Sequence, residues 1–364
     1  MSAIKNSIFG NKKRETVALG LSGGVDSAVS ALLLKEAGYD VTGVFIRTWH
    51  PEGYPCSEGE DRTEAVRVAV HLGIPFEEMD LSEEYKREVA DKMLAVYASG
   101  GTPNPDILCN REIKFGAFAR EMLKRFDFIA TGHYASLAVS PSGKTLIKES
   151  EDKDKDQTYF LASIPENILS RVIFPVGNLQ KSQVREMALK FDLPNANRKD
   201  SQGICFLGKI DLKKYLEEKL KPEQGEISDI SGEIIGKHKG VGLYTLGERR
   251  GLQITSKGPN SKPLYVVKKD IETNTIFVAD HEAKDNYGYR EVLLYPFNNF
   301  AGTEELVGQA KIRHRGLKIA CQIDIKETGI RVHFDSPVLV APGQWLAIYK
   351  DRFLMAGGEV QRGL

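Results

Sequence analysis

One six-residue string, Ser22-Gly23-Gly24-Val25-Asp26-Ser27, constrains this chain more than any other feature. It lies between an apolar run, Glu15–Leu21, and a segment, Val25–Ala37, whose apolar residues recur at helical spacing until Gly38. A buried strand entering a helix through two glycines brings backbone N–H groups and the helix's positive end to one point. The serines add hydroxyl donors, so the string predicts a phosphate cradle. It is not a Walker loop, because the lysine of Gly-x-x-x-x-Gly-Lys-Ser/Thr is missing, and it does not form Gly-x-Gly-x-x-Gly.

The same alternation continues. Val41–Arg47 reads as a second strand, Thr63–Leu72 as a helix ending at Gly73, and Phe126–Thr131 as another buried strand. Strands alternating with helices predict parallel βαβ units in a doubly wound α/β sheet. Beyond about residue 225 the pattern becomes short strands: a hairpin of Pro263–Lys268 and Thr275–Ala279, then Gln309–Ile312, Ile319–Ile325, Ile330–Phe334 and Gln344–Tyr349. That region predicts all-β structure closing in a small barrel. We expect a phosphate-loop catalytic domain over 1–211, a small β-rich central domain over 212–289 and a C-terminal barrel over 290–364.

The 364 residues are enough for two or three domains with sizeable cores. No apolar run approaches the roughly 18 residues of a membrane helix, and the start, MSAIKNSIFGNKKRE, lacks an apolar signal region. Four cysteines without a CxxC fit a reducing cytoplasm and argue against a structural metal site. The 50 basic and 50 acidic residues cancel, yet residues 51–100 hold 12 acidic against 5 basic and residues 181–270 hold 18 basic against 12 acidic. A neutral total can therefore hide a basic face that meets RNA and an acidic one that faces away or meets a protein. Binding governed by a few contacts predicts a shallower salt dependence than a uniformly basic protein shows.

Two cysteines sit beside loop signals. In Gly101-Thr102-Pro103-Asn104-Pro105-Asp106-Ile107-Leu108-Cys109, the prolines stiffen the approach to a helical pattern over Arg111–Lys124. Asp106 reads as its N-cap and Cys109 as a first-turn thiol, with the nearby carboxylate a local proton acceptor. Cys205 lies in Asp200-Ser201-Gln202-Gly203-Ile204-Cys205-Phe206. A capping aspartate and buried structural cysteines would account for either segment alone. Together the two thiols suit sulfur chemistry, one carrying a persulfide sulfur and the other attacking it. Cys56 and Cys321 read as non-essential, and Glu151–Gln157 (EDKDKDQ) as an exposed loop.

The strings SGGVDS, GTPNPDILCNREIKF, ATGHYA, KDKDQTYFLA, DSQGICFLG and TLGERRGL, in this order across about residues 15–360, resemble the tRNA-specific 2-thiouridylase family of PP-loop ATP pyrophosphatases. That resemblance implies ATP- and Mg2+-dependent thiolation of the wobble uridine in tRNAs for lysine, glutamate and glutamine, with sulfur from a carrier relay or cysteine desulfurase. It implies ATP contacts at Gly20, Leu21, Ser22, Gly23, Gly24, Val25, Asp26, Ser27, Ile46 and Gly132. It assigns the target base to Asn104, Pro105 and Asp106, the last as acid/base, the persulfide to Cys205 and the attacking thiol to Cys109. It implies base or tRNA contacts at His133, Lys155, Asp156, Gln157, Arg313, His314 and Gln344, with Tyr134 a further ring suited to a splayed-out base. Ile46 stands where the family commonly has methionine, His314 where it has tyrosine and Glu248 where it has glutamine. Residues 48–62 are the least familiar stretch.

Two other readings stay open on the residues. A PP-loop enzyme that delivers nitrogen would need neither Cys109 nor Cys205. A paralogue that binds tRNA or a sulfur carrier without catalysis would not need the intact loop, Asp106 and both thiols.

Overall fold

A computed structural model describes residues 14–200, 211–255 and 262–363. Five parallel strands form the first sheet: β1 (Thr16–Gly20), β2 (Asp40–Arg47), β3 (Phe76–Asp80), β4 (Phe128–Ala130) and, beyond a hairpin of β5 (Ala135–Val139) and β6 (Thr145–Glu149), β7 (Val172–Ile173). Their spatial order is β3-β2-β1-β4-β7, so the strand order reverses between β1 and β4. The carboxyl ends of strands flanking such a reversal leave a crevice where ligands bind in open α/β sheets. β1 buries Val17, Ala18 and Leu19 completely, as a strand covered on both faces must. The helix Val25–Glu36 covers one face, and the helix Glu58–Leu72 begins a turn earlier than the apolar spacing alone predicts.

The central region forms a second five-stranded sheet from β8 (Gly225–Asp229), β9 (Ile234–His238), β10 (Gln253–Ile254), β11 (Tyr265–Asp270) and β12 (Thr275–Ala279). β11 and β12 make the antiparallel hairpin that the sequence predicts. The last strands are β13 (Tyr289–Asn298), β14 (Glu305–Lys311), β15 (Ile319–Lys326), β16 (Gly329–Val338), β17 (Trp345–Lys350) and β18 (Phe353–Gly363). They pair in the order β13-β16-β15-β14-β17-β18, and β18 pairs back on β13, closing a six-stranded antiparallel barrel. Cys321 is buried inside it on β15, in keeping with a structural thiol.

The three sheets are welded together. The β5–β6 hairpin, turning at residues 140–143, adds β6 to the barrel through Lys148 opposite Phe353 and Ile147 opposite Leu354. Trp345, Tyr349 and Leu354 of the barrel share one apolar core with Ile107, Ile113 and Phe115. Burial of each such large side chain is worth about 1.5–3 kcal/mol. Met93 and Tyr97 likewise join the core of the central sheet beside Tyr215 and Val266.

Part of the acidic stretch is paired, by bases both inside and outside it. Arg125 holds Glu77 at 2.7 Å, Arg62 holds Glu78 at 2.5 Å, and Lys92 holds Glu88 at 2.6 Å. Glu77 and Glu78 lie on the edge strand β3, where charge discourages a foreign strand from pairing.

Candidate nucleotide and thiol site

The six-residue loop follows β1 at the strand reversal. Gly24 is the N-cap of the helix Val25–Glu36, and no side chain caps its backbone donors. Ser27 Oγ instead donates to the Gly24 carbonyl at 2.9 Å and accepts from Ser22 N at 3.2 Å, so the serines tighten the loop. The uncapped first turn is a ready anion site. Gly23 adopts φ +78°, and a Cβ there would stand 2.2 Å from the Asp61 carbonyl oxygen. Its own carbonyl accepts from Asn195 Nδ2 at 2.8 Å and Arg198 Nη1 at 3.1 Å. Gly132, at the end of β4, comes so close to the helix that a Cβ would lie 2.9 Å from Ser27 N.

These parts line a cavity of 370 Å³. Of the sequence candidates, Gly20, Leu21, Ser22, Gly24, Val25, Asp26, Ser27, Ile46, Gly132, His133, Tyr134, Lys155 and Gln157 reach it. Gly23 supports it from behind. Val44, Phe45 and Ile46 of β2 give it an apolar side, and the unfamiliar 48–62 stretch contributes Thr48, His50, Ser57, Glu58 and Asp61. Lys114 and Asp200 also line it, and sequence reasoning gave neither a role. Both lie inside quoted strings, CNREIKF and DSQGICFLG, which was the signal available.

Several candidates are committed elsewhere. Tyr134 lines the cavity yet is buried, and it donates its hydroxyl to Asp26 Oδ1 at 2.8 Å, bracing the loop. Burial and Asp26 push its phenol well above the ordinary range. Gln157 Oε1 accepts from Tyr134 N at 2.8 Å. Asp156 is buried, accepting from Ser150 N at 3.0 Å and Thr158 Oγ1 at 2.9 Å, with burial raising its carboxyl. The 151–157 stretch is thus exposed only in part, because Asp152 and Asp156 turn inward to organise it. His133 Nδ1 meets Thr131 Oγ1 at 2.8 Å and its Nε2 meets Lys114 Nζ at 3.4 Å. Burial first, then Lys114, lower its pKa well below 6.5, so the ring is neutral and an Nδ1 proton donated to Thr131 satisfies both contacts.

The helical segment from Pro105 to Met122 runs as a short α turn (Pro105–Leu108), a wide π-type stretch (Cys109–Phe118) and a final α turn (Ala119–Met122). Its cap is Asn104, not Asp106: Asn104 Oδ1 accepts from Asp106 N and Ile107 N, each at 3.1 Å. Proline fits the first helical position because it lacks the N–H that would be orphaned there, so Pro105 fixes the cap one residue before itself. Asn104→Ala should cost about 1 kcal/mol of stability, read as a lower urea midpoint; an unchanged midpoint would mean the cap is not used. Cys109 is fully buried within the same core as Phe115 and Tyr159. Cys205 falls outside the described residues, and Cys56 is exposed.

The barrel reaches this segment at two places. The His314 ring lies 4.5 Å from that of Phe160, whose carbonyl accepts from Asn110 Nδ2 at 3.0 Å. Burial, Arg315 and Lys311 bring His314 down to about 4. Arg313, exposed beside it, lies on the same loop. Gln344 Oε1 accepts from Ala341 N at 2.8 Å, shaping the loop whose Pro342 carbonyl accepts from Thr102 N at 2.8 Å. Neither Asp106 nor Cys109 nor these barrel residues line the 370 Å³ cavity.

His133, His238 and His314 all have pKa values below 6.5 in the folded protein, burial being the main cause for each. The unfolded chain therefore takes up these protons first as pH falls. The stability they contribute is complete above about pH 6.5 and is lost as pH falls through it, for His314 down to about 4. From pH 7.5 to 5.5 the urea midpoint should drop, each fully buried ring accounting for on the order of 1 kcal/mol. A midpoint that rises over this window would contradict the assignment.

Comparison with known proteins gives three successive matches along the chain. Residues 15–209 match the tRNA methyl transferase HUP domain, 213–280 the tRNA methyl transferase PRC-barrel domain and 293–360 the aminomethyltransferase beta-barrel domain. The chain is 40% identical over 359 residues to the tRNA-specific 2-thiouridylase MnmA of Francisella tularensis, covering 96% of this chain and 99% of that one. Among solved structures, a U34-tRNA thiolase NcsA from Methanococcus maripaludis is 20% identical with a TM-score of 0.34, covering 56% of this chain and 66% of that one. An NMN synthetase from Francisella tularensis is 16% identical with a TM-score of 0.33, covering 58% and 79%. No helix among the described residues is long and apolar enough to cross a membrane. With an uncapped glycine-serine loop at the strand reversal and a relative matched along nearly its whole length, the chain belongs to the tRNA-specific 2-thiouridylase family.

Proposed function

We propose that this protein is a cytoplasmic tRNA-uridine 2-sulfurtransferase that uses ATP to exchange the 2-oxygen of the wobble uridine for sulfur. The observation that carries the reading is one helical segment: it presents Cys109 near its start and lends Lys114 to the nucleotide cavity. Joining thiol and phosphate chemistry on a single element supports this reading.

The uncapped helix end and the 370 Å³ cavity fit a nucleotide, with the β2 residues Val44–Ile46 offering an apolar wall to its base. Mg2+ would arrive with the phosphates; among the described residues no group of three His, Cys, Asp or Glu side chains could hold a metal by itself. A uracil oxygen is a poor leaving group, and its adenylation, releasing diphosphate, turns it into AMP. Cys205 carries the persulfide delivered by a desulfurase or carrier relay. Attack by the Cys109 thiolate on the inner sulfur forms a Cys109–Cys205 disulfide and frees hydrosulfide, which displaces AMP at C2. Asp106, three residues before Cys109, acts as proton acceptor. Asn104 and Pro105 border the base, while Arg313, His314 and Gln344 lie on barrel loops close enough to this segment to serve the tRNA stem. The tRNAs for lysine, glutamate and glutamine are the expected acceptors.

The test is mass spectrometry of nucleosides from unmodified tRNA incubated with the protein, ATP, Mg2+ and a cysteine desulfurase with cysteine. Appearance of 2-thiouridine dependent on ATP is expected. Its absence, with AMP released and an amine bonded to the base in its place, would favour the nitrogen-delivering alternative.

A further inference from the structure

Asp200 occupies an unusual position for a carboxylate. It lines the nucleotide cavity within reach of the loop that cradles phosphate. Its Oδ2 accepts from Lys155 Nζ at 2.8 Å, and its Oδ1 accepts from Lys181 Nζ at 2.8 Å and from Arg185. Lys181, with its side chain only 14% exposed, also reaches Asp26 Oδ1 at 2.6 Å on the first turn of the uncapped helix. Three cations thus serve two carboxylates at the edge of an anion site. Burial opposes ionisation of Asp200, yet bonds from Lys155 and Lys181 hold its carboxyl well below the usual range.

The three cations are not equivalent. Arg185 also donates to the carbonyls of Ala196 and Arg198, so it is tied to the chain leading to Asp200 and moves with it. Among the described residues Lys155 and Lys181 have no such tie to that segment, and their flexible stems let an ammonium turn from one anion to another. A triphosphate carries more charge than one carboxylate and attracts a lysine more strongly.

We propose that Asp200 is a resident competitor for the nucleotide's phosphates: it holds Lys155 and Lys181 in the free protein and yields both to the bound polyphosphate while keeping Arg185. The inference rests on the cavity being the ATP site. It gives Lys155 a phosphate where the family resemblance gives it tRNA. It also makes Asp200 a positioning residue that sets nucleotide affinity, not one that touches the reacting atoms.

Calorimetric titration with ATP, diphosphate and adenosine tests it. Asp200→Asn should bind ATP and diphosphate about 5- to 20-fold more tightly, with adenosine affinity unchanged. In a Lys155→Gln, Lys181→Gln background the same Asp200→Asn change should no longer alter diphosphate affinity. Equal or weaker diphosphate binding by a folded Asp200→Asn protein would overturn the proposal, as would a matching shift for adenosine, which has no phosphate to compete. If the variant fails to fold, the wild-type protein still decides: carbodiimide crosslinking of Asp200 to Lys155 should fall at least 5-fold on saturation with ATP. An undiminished crosslink with ATP bound overturns the competition alone, whereas failure of wild type to bind ATP overturns the site reading with it.

Discussion

Serine in place of Cys205 is expected to abolish 2-thiouridine formation, by on the order of 10³-fold or more, while ATP binding stays at the wild-type level. A hydroxyl cannot carry sulfane sulfur, so no conservative geometry rescues the step. Cys109→Ser should be as inactive for a different reason. Its Cys205 should still load, and intact-protein mass spectrometry after incubation with a desulfurase and cysteine should find one added sulfur that persists when tRNA and ATP are supplied. The wild-type protein should lose that sulfur under the same conditions. Full thiolation by Cys205→Ser would remove sulfur relay from the mechanism. Thiolation by Cys109→Ser would remove only the resolving step. Because Cys109 is fully buried while Cys56 is exposed, alkylation before turnover should mark Cys56 first.

The second large effect concerns a residue with no side chain. Gly23→Ala should weaken ATP binding at least about 100-fold and lower the melting temperature. Left-handed backbone costs a non-glycine residue roughly 1–3 kcal/mol when local structure enforces it. Here the new methyl would also meet the Asp61 carbonyl at 2.2 Å, against backbone that cannot rotate away. Relief requires moving either the loop or the helix Glu58–Leu72, and loop movement strains the bonds from Asn195 and Arg198 that hold the Gly23 carbonyl. Calorimetric titration with ATP reads the outcome directly; wild-type affinity in Gly23→Ala would show that the loop tolerates a different conformation. Gly24, whose φ is −79°, carries no such constraint from its backbone angle.

The contrast between these two glycines shows what can be read without coordinates. The hexapeptide announces a phosphate loop because backbone donors and glycine freedom are local properties. Which glycine bears the strain depends on Asp61, 38 positions away (61 against 23), and no local pattern reveals that. The parallel sheet was legible for a similar reason, since both-face burial makes strands such as Val17–Leu19 continuously apolar. The cap was legible too, although reading Asp106 as the cap missed that Pro105 points to Asn104. Asp156 was not legible. In a run of alternating charges it looks solvated, and only Ser150, Thr158 and the distant Lys311 explain its burial. The partner of Glu77 was not legible either, because Arg125 lies far along the chain from it. Strands β13 and β18 escaped notice because their pairing with each other spans the whole barrel.

The hairpin on the barrel also sets a schedule for synthesis. Ile147 pairs with Leu354, a separation of 207 positions (354 against 147). At roughly 5–20 residues per second, β6 leaves the ribosome about 10–40 s before its partner exists. During that interval its outer edge carries open backbone donors and acceptors, the kind of surface on which chains aggregate. Lys144 and Lys148, at the turn and on the waiting strand, place charge where a foreign strand would have to dock. β18 must then satisfy β17, β13 and β6 at once. Nascent chains halted before residue 353 would therefore be the form of this protein most in need of a chaperone.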